Sequence, residues 1–325
     1  MMLYDLIGVS KNDFDNFIEN INSVVIKEGT HWKHVNPSSH NSVSIKFDKY
    51  FEDQFKNVIS ASSPKQGAFC GKSIIQLLAP HSSKKYVLTL DIKNFFGSIN
   101  FHKVQECTKD HSSLQLYSDI IHIFYFGGDD QLRRGLKGSA AIAEVVGLKI
   151  DHLIRKIIYS NKEYSNKDLV YSRYYDDIII SGDSFGALRS VASVLAKSIY
   201  KELGLLLNPK KTRLRILHGS KILGLRFHDR DITVPQSLKH KLRAIMYEYS
   251  SANYDESDYE SVRDAKRHVG QIIGTLRYII NFTSANVSRY EDWLADFYEE
   301  LDRLEEIRKD LAQYYDDEKG IYFDM

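Results

Sequence analysis

Leu169-Val170-Tyr171-Ser172-Arg173-Tyr174-Tyr175-Asp176-Asp177-Ile178-Ile179-Ile180-Ser181 decides how this chain is read. Two β-rich runs, 169–175 and 178–181, are separated only by Asp176-Asp177, which predicts a tight hairpin. Upstream, Tyr86-Val87-Leu88-Thr89-Leu90-Asp91-Ile92 reads as a strand closed by Lys93-Asn94. Between them Ile142, Val146, Ile150, Leu153 and Ile157 recur at spacings of three and four, which predicts a helix over 139–159. Leu188, Val191, Leu195 and Ile199 predict a second helix, with Gly204 placed to cap its end. Arg213-Leu214-Arg215-Ile216-Leu217 and the run 222–227 read as a further hairpin around His218-Gly219-Ser220. The order strand, helix, strand, strand, helix, strand is the split βαβ pattern of a ferredoxin-like sheet. After Pro235 the pattern is helical to about residue 315, so the fold class expected is α+β.

The chemistry lies in acidic residues set into apolar strands. Asp91 ends a strand containing Leu88 and Leu90, and Asp176 and Asp177 precede three isoleucines. Carboxylates held together beside a core resist ionisation unless a cation offsets the cost. In a ferredoxin-like sheet the first strand lies beside the middle hairpin, so Asp91 and Asp176 can share one site. Magnesium suits it, being held by one or two carboxylates plus substrate phosphates. An Asp-Asp pair alone more often marks a turn; the matching Asp91 argues for a site.

Composition excludes several classes. A chain of 325 residues, 43% hydrophobic, exceeds the size of one hydrophobic core, so two or three subdomains are expected. Five prolines and eighteen glycines exclude collagen-like and Pro/Gly-rich disordered chains. Cys70 and Cys107 lack CxxC spacing, so no disulfide scaffold or zinc module is expected. The N-terminus does not read as a signal peptide, and no apolar run approaches the roughly 18 residues of a membrane helix. A soluble, cytoplasmic protein without a membrane partner is expected. The net charge of +1 hides an asymmetry: residues 291–318 carry twelve Asp/Glu against three Lys/Arg, leaving about +10 on residues 1–290. A basic body with an acidic last helix points to a polyanion such as nucleic acid.

Tyr174-Tyr175-Asp176-Asp177, preceded by Arg173, resembles the Tyr-x-Asp-Asp motif of reverse transcriptases. Asp91-Ile92-Lys93-Asn94-Phe95-Phe96-Gly97-Ser98-Ile99 resembles the first catalytic motif of that family, Asp-x-x-x-Phe-Phe-x-Ser-Ile. Leu207-Asn208-Pro209-Lys210-Lys211-Thr212 resembles the fourth palm motif, and Ile222-Leu223-Gly224-Leu225 the primer-grip turn. Gly67-Ala68-Phe69 through Ser73-Ile74 to Ala79-Pro80-His81 resembles the segment before the palm in retron enzymes. The likeness spans residues from about 60 to 290 in the family's order. The departures are as plain. The family's Pro-Gln-Gly and Ser-Pro stretch is here Arg133-Arg134-Gly135-Leu136-Lys137-Gly138-Ser139-Ala140, and Glu144 stands where Asn is usual. The fingers segment is barely recognisable, with Lys33 as a candidate for its basic residue.

The resemblance implies a retron-like or defence-associated bacterial reverse transcriptase with a right-hand polymerase fold. Reduced fingers would occupy 1–85, a ferredoxin-like palm 86–234, and a helical thumb with an acidic last helix 235–325. Asp91, Asp176, Asp177 and the Ile92 carbonyl would hold two magnesium ions roughly 3.5–4 Å apart. Lys211 or Lys210 would protonate the leaving pyrophosphate. Phe96 would lie under the sugar of the incoming deoxynucleoside triphosphate, with Tyr175, Arg134 and Lys137 as nucleotide or template contacts. Lys241, Arg243, Arg267 and Gly224 would face the nucleic acid. His81 reads as a structural histidine. The implied partners are a cognate structured non-coding RNA, its DNA product, and an effector protein or a second copy of the chain.

Two other readings remain open at this point. The lost Gln and Asn motivate a template-independent or protein-primed DNA polymerase of the abortive-infection type. A non-catalytic RNA-binding scaffold is the second, against which the three intact carboxylates count.

Overall fold

The computed structural model describes residues 2–35, 39–61, 73–160, 162–283 and 287–319; Gly67-Ala68-Phe69 and Cys70 lie outside them. In chain order the elements are α1 (Leu3–Leu6), α2 (Lys11–Glu19), β1 (Val25–Glu28), β2 (His31–His34), α3 (Ser39–Ala61), α4 (Ile74–Leu78), β3 (Tyr86–Asp91) and α5 (Phe101–Thr108). There follow α6 (Ser112–Leu116), α7 (Ser118–Tyr125), α8 (Lys137–Ser160), β4 (Val170–Tyr174), β5 (Asp177–Gly182), α9 (Phe185–Leu203) and β6 (Arg213–Ile216). The chain continues with β7 (Lys221–Ile222), β8 (Leu225–His228), β9 (Asp231–Thr233), α10 (Gln236–Ser251), α11 (Tyr259–Asn281) and α12 (Val287–Lys319). It divides into two compact units, Met1–Leu217 and His218–Met325. The division falls earlier in the chain than the boundary expected near 234/235, because β7, β8 and β9 form a sheet of their own and group with the helices.

In the first unit β4-β5-β3-β6 form an antiparallel sheet, with β3 and β5 adjacent as the split βαβ pattern requires. The apolar spacing of α8 and α9 explains their packing. Ile142, Val146, Ile150 and Leu153 of α8, and Leu188, Val191, Leu195 and Ile199 of α9, are all buried in one core. Ser184 caps the start of α9 by accepting from the Ala187 N–H, and Gly204 closes it at φ +62°. His81 is wholly buried, its Nδ1 2.7 Å from Ser181 Oγ and its Nε2 3.0 Å from Ser172 Oγ. Burial lowers its pKa to about 4, so a neutral ring ties residues 79–81 to β4 and β5.

The N-terminal part of this unit meets α8 at one buried carboxylate. Asp48 of α3 accepts from the Lys137 N–H at 3.1 Å and the Gly138 N–H at 2.9 Å, satisfying two of the free donors that open α8. Tyr125 Oη donates to Asp48 at 2.9 Å, and His34 Nε2 of β2 lies 3.3 Å from it. Next to this cap, Gly135 sits at φ +115°, and a Cβ there would stand 2.4 Å from the Trp32 carbonyl. Only glycine lets the chain pass so close to the β1–β2 hairpin.

Two readings of the sequence need correction. The hairpin turn is Tyr175-Asp176 and not Asp176-Asp177, because Asp177 already pairs with both Tyr174 and Asp91. Tyr175 takes φ +51°, the left-handed conformation that closes so short a turn. The runs 213–217 and 222–227 do not form a hairpin either. Residues Arg213–Ile216 instead pair with β3, Leu214 opposite Leu88, and so satisfy the backbone of that edge. The run 222–227 pairs locally, Ile222 opposite Leu225 across Leu223-Gly224.

In the second unit α10, α11 and α12 bury Val262, Ala265, Val269, Ile273 and Leu304, with Leu294, Phe297 and Leu301 of α12 packed against them. The acidic α12 is partly neutralised within the unit, where Lys266 of α11 pairs with Glu305 and Arg303 of α12 with Glu300.

Candidate active site

The register of two strands brings the acidic residues together. Asp91 ends β3 directly opposite Asp177 at the start of β5, and Asp176 occupies the adjoining turn. The Ile92 N–H donates to the Asp176 carbonyl at 3.1 Å, binding the turn to the end of β3. Asp91 is only 5% exposed, while Asp176 and Asp177 are half-buried. Like charges opposite each other across a ladder are unfavourable. Burial first, then Asp176 and Asp91, push the Asp177 pKa up to about 6. Asp176 is raised as well, by burial first and by Asp91.

A cation arrives from the turn after α9. Asn208 donates its N–H to the Asp91 carbonyl at 2.7 Å, and its own carbonyl accepts from the N–H groups of Lys211 and Thr212. That tight turn swings Lys211 back so that its Nζ donates to Asp91 Oδ2 at 2.8 Å. The hydrogen bond to Asp91 raises the Lys211 pKa and keeps the amine charged. Asp91, Ile92, Asp176, Asn208 and Lys211 line a cleft of about 420 Å³.

Phe96 and Arg134 form part of the same wall, the guanidinium lying 5.5 Å from the ring centroid. The chain turns sharply after β3 at Asn94, which takes φ +48°. Phe95 then enters the core at 2% exposure, while Phe96 stays half-buried. Lys137 is not among the cleft residues; its backbone opens α8 and its side chain is exposed. Tyr175 does not line the cleft either: its ring packs edge-on against Tyr174 at 5.1 Å. Lys27 and Trp32, paired across the β1–β2 hairpin, do line it and were missed from sequence. Lys33, the residue the sequence suggested, neighbours Trp32 on β2 and therefore points to the opposite face of the hairpin.

The second unit carries a groove of about 550 Å³ of its own. It gathers Lys221, Gly224, Lys241, Gln271, Gly274 and Tyr278. Gly224 lies so near α11 that a Cβ would stand 2.8 Å from Tyr278 Oη. Arg267, exposed, is one turn before Gln271 and continues the stripe of α11 that forms this wall. Arg243 is two residues from Lys241 on α10 and so points to a different side of that helix.

Among the described residues no three or more His, Cys, Asp or Glu side chains are gathered as a preformed metal cage. Magnesium does not need one, since one or two carboxylates are completed by substrate oxygens and water. The donor set fits that ion: hard oxygen ligands, with Asp176 and Asp177 held in mutual repulsion.

The family described as reverse transcriptase (RNA-dependent DNA polymerase) matches residues 32–227, which include every cleft residue named above except Lys27. The chain belongs to the reverse transcriptase family. It is similar to the retron Ec73 reverse transcriptase of Escherichia coli, 29% identical over 57% of this chain and 62% of that protein. It is also similar to the retron Mx65 reverse transcriptase of Myxococcus xanthus, 24% identical over 67% of this chain and 51% of that one. The chain thus spans about half to three fifths of the length of these curated relatives. A telomerase from Candida albicans, solved with a fragment of telomeric RNA, superposes with a TM-score of 0.45 at 10% identity, over 85% of this chain and 57% of that one. No helix among the described residues is long and apolar enough to cross a membrane.

Proposed function

We propose that this protein is an RNA-directed DNA polymerase of the retron-like, defence-associated class. The observation that carries the reading is the meeting of Asp91, Asp176 and Lys211 with Phe96 and Arg134 around one cleft. In this reading the sheet β4-β5-β3-β6 with its helices is the palm, the β1–β2 hairpin belongs to reduced fingers, and α10–α12 form the thumb. Asp91 and Asp176, with Asp177 in support and the Ile92 carbonyl, hold two magnesium ions. Bound there, the ions supply charge neutralisation to the triphosphate and a lowered pKa to the attacking hydroxyl. Arg134 and Lys27 contact phosphate oxygens, and the ring of Phe96 supports the sugar. Lys211, 64% exposed at its side chain, turns from Asp91 to give a proton to the leaving pyrophosphate.

Glu144, which stands at the lost Asn that together with the lost Gln motivated a template-independent polymerase, is buried against Arg173 and is not a cleft residue. The lost Asn therefore leaves the cleft wall as it is, whereas Arg134, from the stretch that replaces Pro-Gln-Gly, is part of that wall. The partners proposed are a cognate structured RNA, its DNA product and an effector protein or second copy, in a cytoplasmic antiphage role that rests on the retron likeness. Nucleotide incorporation on an RNA template with magnesium tests the activity. Asp176→Asn is expected to abolish it in a folded protein; wild-type incorporation by that variant refutes the reading.

A further inference from the structure

Arg173 is the largest fully buried side chain among the described residues, and its whole environment is spent on holding its guanidinium still. Glu144 and Asp151 lie seven residues, about two turns, apart on one stripe of α8. Glu144 accepts from Nη1 at 2.8 Å and Nη2 at 2.9 Å; Asp151 accepts from Nε at 2.7 Å and Nη2 at 2.9 Å. Gly147 lies between them, and a Cβ there would stand 2.5 Å from both Nη1 and Nη2. Tyr171 donates its hydroxyl to Asp151. One bond leaves this cage: Nη1 donates to the Tyr175 carbonyl at 3.0 Å.

Stability does not explain the arrangement. Taking one cation and two anions out of water costs more than their attraction commonly returns, and apolar side chains of similar volume often serve the fold as well or better. Apolar side chains cannot, however, donate to the Tyr175 carbonyl. That carbonyl belongs to the φ +51° residue of the turn, and the next carbonyl, of Asp176, is held from the other side by the Ile92 N–H. The two peptides that flank Asp176 are therefore each held, the one before it from the core by Arg173 and the one after it from the end of β3 by Ile92.

We propose that Arg173, locked by Glu144 and Asp151, is a positioning residue that fixes the 175–176 turn and through it the Asp176 carboxylate. The proposal rests on the polymerase reading and names the device that orients its metal-binding turn. An apolar cage carrying Arg173→Met, Glu144→Leu, Asp151→Leu and Tyr171→Phe together separates positioning from stability. It is expected to melt cooperatively like the wild type. Mn²⁺ binding to the nucleotide-free protein, read by electron paramagnetic resonance, should weaken about tenfold. The rate constant at saturating nucleotide should fall about 100-fold with the nucleotide KM little changed, as a misplaced reacting group requires. Arg173→Lys is the second variant. Its ammonium keeps the charge but cannot span both carboxylates and the Tyr175 carbonyl, so the same two readouts should fall in the same direction. Either variant, folded and with wild-type Mn²⁺ affinity and rate constant, overturns the proposal. If the unmutated protein incorporates no nucleotide, the polymerase reading fails instead. Mn²⁺ affinity then decides the positioning role alone, and unchanged affinity in a folded variant overturns it.

Discussion

Lys211 Nζ donates to Asp91 Oδ2 at 2.8 Å, so a side-chain cation rests on a metal-binding candidate that is itself 5% exposed. A lysine in that place competes with a divalent ion and, once displaced, becomes available as an acid. The two roles push measurements in opposite directions.

Lys211→Ala should therefore tighten Mn²⁺ binding, since a competing charge is gone, while slowing single-turnover incorporation about 100-fold through loss of the acid. Titration of Mn²⁺ and rapid-quench kinetics on the same preparation check both. A lysine that merely solvates the surface would move neither.

Asp177 predicts a pH dependence of stability. Its carboxyl titrates near about 6 in the folded protein, above the ordinary 3.8, through burial and then the charges of Asp176 and Asp91. Between those values the folded state binds more protons than the unfolded one, so stability falls as pH rises through the window. Asp177→Asn removes the effect. The metal-free variant should be more stable than wild type by about 1 kcal/mol near neutral pH, a figure reduced for partial exposure, and the gap should close below about pH 4. Denaturant titrations in chelator at the two pH values measure it. Magnesium should then stabilise the wild type more than the variant, because a ligand bound to the folded state adds to its stability.

What the sequence revealed follows from how local each signal is. Asp91, Asp176 and Asp177 were legible because acidic residues interrupt strand patterns, and Lys211 because it sits in a compact motif after α9. Lys27 and Trp32 were not. The hairpin that carries them is placed by a contact remote in sequence, the Trp32 N–H donating to the Arg134 carbonyl at 2.5 Å. The turn was misjudged by one residue because nothing in Tyr175 announces a left-handed backbone. The Arg173 cage did leave a trace: Glu144 and Asp151 break an otherwise apolar face of α8 at a spacing of seven, with a glycine between. Read alone, Glu144 looked like a change in the template path.

Phe95 and Phe96 should separate stability from sugar choice. Phe95 is 2% exposed in the core, so Phe95→Ala should cost about 3 kcal/mol and lower the yield of soluble protein. Phe96 lines the cleft beneath Arg134, so Phe96→Ala should keep the fold and admit ribonucleotides. Thermal melts and incorporation of each nucleotide class by both variants check the division. Equal use of ribo- and deoxynucleotides by the unmutated protein would show that no such gate exists.

The groove of the second unit makes the same kind of division among its cations. Lys241 lines it, Arg267 continues the α11 stripe that forms its wall, and Arg243 faces another side of α10. If a duplex backbone lies in this groove, each phosphate contact removed flattens the dependence of log affinity on log salt by about 1. Lys241→Glu and Arg267→Glu should each flatten the slope and weaken binding of RNA and RNA–DNA duplexes alike, whatever their sequence. Arg243→Glu carries the same change in net charge and should alter the slope much less, since long-range charge is screened within about 10 Å at moderate salt. Binding measured across a salt series for the three variants decides it: equal slopes for all three would mean that net charge, and not this groove, holds the nucleic acid.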